Sequence, residues 1–124
     1  MLRILLVTTR QATIRSFVDG LSSDRDVRIE QVASKSDALN AVRDNPPQLV
    51  IIDSSQDGDP LKLVSELLVV NAMVNTAVVS SLSEQEFHDA SEGLGILGHL
   101  PLMPDERDAK DLLRKLKKIL GVIA

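Results

Sequence analysis

Leu49-Val50-Ile51-Ile52-Asp53 is the stretch on which the fold turns: four branched apolar residues in succession, closed by an acid. A run this short and this apolar reads as a strand covered on both faces, the kind found inside a parallel sheet. Three further runs share its character. They are Leu2 to Val7, Ala77 to Val79, and Ile96 to Leu100, the last interrupted by Gly98 and His99. Val27-Arg28-Ile29-Glu30 alternates apolar with polar instead, so this fifth strand has a wetter face or lies at a sheet edge.

Helical spacing fills the intervals. Ile14, Phe17, Val18 and Leu21 fall on one helical face, as do Leu61, Val64, Leu67 and Leu68, and each face needs a sheet to cover it. Ser34 with Asp37, and Ser83 with Glu86, have the spacing of a capping box, while Asp59-Pro60 offers an N-cap followed by proline in the first turn. Pro46 and Pro47 end the second helix. In the last helix Ala109, Leu112, Leu113, Leu116 and Leu120 form an apolar stripe, with acids at the start and bases at the end in the order that complements the helix dipole. Gly121 then ends it.

Five strand–helix units in succession predict an α/β fold: a (βα)5 three-layer sandwich over residues 1–124, read as one domain, with a five-stranded parallel sheet and right-handed crossovers. If the alternating second strand is the edge, the strand order is 2-1-3-4-5, the flavodoxin-like arrangement, whose ligands sit beyond the carboxyl ends of the strands. A site is therefore sought at Thr8-Thr9, Ala33-Ser34, Asp53 to Asp59, Ser80-Ser81 and Leu102 to Pro104.

Composition narrows the function. A chain 44% apolar and 26% charged has the balance of a globular protein, and a net charge of -4 gives no electrostatic reason to expect nucleic acid. The basic residues Arg114, Lys115, Lys117 and Lys118 read as the solvated end of the last helix. With no cysteine, disulfides, thiolate metal sites and cysteine nucleophiles are excluded, which suits a reducing compartment. No apolar run approaches membrane-spanning length and residues 1–9 are too short for a signal peptide, so the expected location is the cytoplasm, with no membrane partner. His88 and His99 lie too far apart in sequence to make a metal signature.

Asp53 admits two readings. It closes what should be the central strand, at the edge where ligands bind; it could equally be a loop aspartate accepting backbone N–H bonds ahead of the Asp59-Pro60 helix start. The whole chain resembles the receiver domain of bacterial two-component signalling proteins: Thr8 and Thr9 follow the first strand, Asp53 ends the third at the expected distance, Ser80 ends the fourth, and Gly95-Ile96-Leu97-Gly98-His99-Leu100 is similar to the family's approach to the fifth. The resemblance implies Asp53 as phosphoacceptor, Ser80 and His99 as the switch positions, an acidic pair replaced by Thr8 and Thr9, and the family's lysine replaced by Leu102.

A carboxylate approached by a phosphoryl group needs a cation to neutralise the incoming oxygens. With neutral threonines and a leucine in the helper positions, the expectation is no cofactor and no metal site beyond weak Mg2+ at Asp53, unless Asp57 or Asp59 substitutes. The resemblance then implies a degenerate, non-enzymatic receiver in a phosphorelay, acting as a phosphorylation-independent protein-interaction module. Its partner would be a signalling protein, a kinase or an output domain, and its surface helix 4, strand 5 and helix 5, the face receivers also use for homodimers. That face carries Phe87, Leu94, His99, Pro101, Met103 and Pro104, as an exposed patch or as core. Two alternatives stand beside it: a phosphoacceptor receiver modified at Asp53 by a histidine kinase, and a flavodoxin-like cofactor binder using Thr8, Thr9 and Thr13. Against the cofactor binder, the loop 8–13 has no glycine and the chain no Trp or Tyr to sandwich a flavin.

Overall fold

The computed structural model describes residues 2–53 and 59–121. Strands and helices alternate throughout: β1 (Leu2–Val7), α1 (Arg15–Ser22), β2 (Val27–Val32), α2 (Lys35–Asp44), β3 (Leu49–Asp53), α3 (Pro60–Val70), β4 (Asn75–Val79), α4 (Glu84–Ser91), β5 (Gly98–Leu100) and α5 (Glu106–Leu120). The strands pair in parallel in the order 2-1-3-4-5, the flavodoxin-like arrangement. β2 is an edge, as its alternation predicts, with Arg28 and Glu30 exposed.

Side-chain alternation along each strand sorts the apolar residues into two cores. Ile4, Leu6, Leu49, Ile51, Ala77 and Val79 face α1 and α5, which contribute Phe17, Leu21, Leu112 and Leu116. Leu5, Val7, Val50, Ile52 and Val78 face α2, α3 and α4, which contribute Val42, Val64, Leu67 and Phe87. Because β3 is buried on both faces, its run has no polar member until Asp53.

The helix starts follow the sequence. The Ser34 hydroxyl accepts the Asp37 amide, the Asp59 carboxylate accepts the Leu61 amide with Pro60 in the first turn, and Ser83 and Glu86 cap each other reciprocally. A capping box not singled out in the sequence, Asp105 with Asp108, opens α5. Gly121 closes it in the left-handed conformation, φ 75°, where a side chain would be strained. Two details differ from expectation. Leu120 ends the apolar stripe of α5 yet is exposed, whereas Leu116 one turn earlier is buried. The fifth strand is shorter than its run from Ile96 to Leu100, since β5 holds only Gly98, His99 and Leu100, at an edge of the sheet.

Candidate functional site

All five strands end on one edge, so the residues that follow β1, β4 and β5 converge there with the end of β3. Asp53, paired in register with Val79, is completely buried at that edge. A buried carboxylate must be hydrogen-bonded and charge-compensated, and the segment after β1 provides both.

Thr8 is buried, and its hydroxyl donates to Asp53 Oδ2 at 2.7 Å while accepting the Arg10 amide at 2.9 Å. That local bond turns the chain back over the strand ends, a turn continued by the Thr13 amide bonding the Arg10 carbonyl. Arg10 is thereby aimed inward. Its guanidinium grips Asp53 with two parallel bonds, Nε to Oδ2 at 2.8 Å and Nη2 to Oδ1 at 2.9 Å, and Nη2 also donates to the Leu102 carbonyl at 2.9 Å. The planar fork of arginine matches the two carboxylate oxygens, which is what makes such a pair strong. The hydrogen bonding to Asp53 raises the Arg10 pKa above its ordinary value; burial opposes this, and Coulomb attraction to the same carboxylate adds to it.

The sequence reading missed Arg10. With the lysine replaced by Leu102, Asp53 is expected to lack a cationic partner, whereas the structure supplies one from the segment after β1. The position of Leu102 still matters through its backbone carbonyl, while its side chain is partly exposed. One signal was available: a cation two residues past Thr8, beside a strand-end aspartate that cannot be buried alone. Thr9, the other acidic-pair position, is exposed. Asp59 caps α3, and Asp57 with the rest of 54–58 lies outside the described residues.

The two switch positions meet each other. Ser80, buried after β4, is hydrogen-bonded through its hydroxyl to His99 Nε2 at 2.7 Å, and its amide donates to the Leu100 carbonyl. The His99 ring stacks flat on Phe87, centroids 4.0 Å apart and planes 2° from parallel. Phe87 is therefore core and Leu94 packs partly buried against the same cluster, so neither offers itself as an exposed patch. Pro104 is buried too. Pro101, Leu102 and Met103 remain at the surface, with Met103 64% exposed. Among the described residues no cluster of His, Asp and Glu is placed to hold a metal, and no helix is long and apolar enough to cross a membrane.

No family profile matches the sequence, and no curated protein matches it significantly. Solved structures do. The receiver domain of a Francisella response regulator superposes with a TM-score of 0.80 at 13% identity, covering 96% of this chain and 99% of that one. A CheY-like response-regulator receiver domain from Methanospirillum hungatei gives 0.78 at 20% identity over 98% and 95%. The receiver domain of a modulated diguanylate cyclase from Desulfovibrio desulfuricans gives 0.77 at 12% identity over 100% and 99%. The chain is thus similar in fold, over essentially its whole length, to response-regulator receiver domains.

Proposed function

We propose that residues 1–124 form a receiver-like signalling module of the two-component type that works without magnesium-dependent phosphorylation, as a non-enzymatic, cytoplasmic protein-interaction domain. The single observation behind this reading is the grip of Arg10 on Asp53: both oxygens that would attack phosphorus or bind a cation are engaged by one guanidinium at 2.8 and 2.9 Å. Magnesium does not fit that donor set. It demands octahedral oxygen ligands, while Thr8 and Arg10 present hydrogen-bond donors to the carboxylate and a positive charge already neutralises it.

The surface proposed for a protein partner, or for a second copy, lies between α4 and α5. Glu84 of α4 and Lys115 of α5, both exposed, face each other across a groove of about 310 Å3 over β5 that Phe87, His88 and His99 also line. Charge opposition of this kind sets register between partners more than it adds affinity.

The test is incubation with a small phosphodonor and magnesium, followed by mass spectrometry. An unchanged mass is the expected result. A gain of one phosphoryl group, abolished by Asp53→Ala, would return the domain to ordinary phosphoacceptor signalling.

A further inference from the structure

Arg10 does more than neutralise Asp53, because its Nη2 makes two bonds at once, one to the carboxylate and one to the Leu102 carbonyl. The guanidinium therefore bridges the segment after β1, the end of β3 and the β5–α5 turn, positions 43 and 92 residues distant in sequence. Leu102 and Met103 in that turn are exposed, and the turn leads straight into the Asp105–Asp108 box that starts α5. The strand before the turn, β5, is three residues long and an edge, while Pro104 after it is buried. Ser80 and His99, meanwhile, bond to each other.

We propose that Arg10 is a built-in tether that ties Asp53 to the β5–α5 turn and holds Pro101-Leu102-Met103 in one conformation. The proposal deepens the reading above, since it rests on Arg10 occupying the pocket. A forked donor is what the geometry requires. One guanidinium face meets two carboxylate oxygens and a carbonyl together, whereas a lysine ammonium on a flexible stem is a point charge without that planar geometry. Coupling of this sort is carried by a physical element that both ends bias, here a single side chain.

Two conservative variants of the full chain decide it: Arg10→Lys, which keeps the charge and removes the fork, and Asp53→Asn, which keeps the shape and removes the charge. Backbone 15N relaxation is read at Leu102 and Met103, with the Ser83 and Glu86 amides of the α4 cap as the control. The expected result is a fall of the order parameter at 102 and 103 from about 0.85 to below about 0.6 in both variants, with the α4 cap unchanged. If order at 102 and 103 is retained in either folded variant, or falls equally at the α4 cap, Arg10 is not a tether. Should Arg10→Lys fail to fold, Asp53→Asn alone decides between these outcomes. The measurement uses neither magnesium nor phosphodonor, so its failure leaves the phosphorylation question where the mass spectrum puts it, and a phosphoryl gain there counts against Arg10 holding the pocket without deciding the order of residues 102 and 103 in the unmodified chain.

Discussion

At Asp53 the deciding quantity is the cost of burying charge. The carboxylate is wholly inaccessible whereas the Arg10 side chain is 21% exposed, so the two partners are not equivalent. Arg10→Ala strands a buried anion without its cation, though the Thr8 hydroxyl still donates to it, and is expected to cost about 3 kcal/mol. Asp53→Ala leaves a guanidinium that can swing into water, and should cost only about 1 kcal/mol. The double substitution should cost markedly less than the sum. Urea unfolding of the three variants checks this, and additive losses, or a larger loss for Asp53→Ala, would mean the pair is not the compensating unit. Since the pKa of Arg10 is raised, its contribution is fully present below its ordinary value and fades only as pH climbs through the raised one. The Arg10 contribution is therefore indifferent to pH across the neutral range.

Among the elements, α1 lies close against α5, and Gly20 permits the approach. A Cβ at Gly20 would lie 2.8 Å from Ala109 Cβ and 3.0 Å from Glu106 Cα, and neither of those atoms is the movable end of a side chain. Gly20→Ala improves intrinsic helix propensity by roughly 1 kcal/mol, yet it forces the two helices apart, with an overpacking cost of about 1 to 3 kcal/mol. A net fall in thermal midpoint is expected, partly recovered by adding Ala109→Gly. A rise in midpoint for the single variant would show the helices free to move apart.

At the scale of the whole molecule, three carboxylates among the described residues have lowered pKa values and contribute to acid sensitivity. Asp24 is lowered chiefly by its bond from Lys117, Glu86 by the Ser83 amide, and Asp105 by the Asp108 amide. A folded-state pKa below the unfolded one means stabilisation that is complete above the ordinary values of 3.8 and 4.5, and is lost as pH falls through the lower folded values. The urea midpoint should thus be level from about pH 8 to about pH 5 and decline below about pH 4. A plateau that breaks near about pH 6 would mean that these carboxylates do not set the acid limit of stability.

Sequence alone determined the order of elements and the edge position of β2, because Val27 to Glu30 alternate while Leu49 to Ile52 do not, and each pattern records how many faces of a strand are dry. It also determined most helix starts, since caps such as Ser34, Asp59 and Ser83 act within three residues of themselves. Asp53 was legible as the residue to weigh, being the one charge at the end of a buried run. Only the tertiary structure decided who meets it. Phe87 could be core or surface on an eight-residue helix until the His99 ring was found lying against it, and Arg10 was one loop residue among several until the β1–α1 turn brought it to a carboxylate 43 positions away. Periodicity and capping are local and leave a trace in neighbouring residues; an ion pair between two distant loops leaves none, because its geometry exists only once the sheet has placed both strand ends side by side.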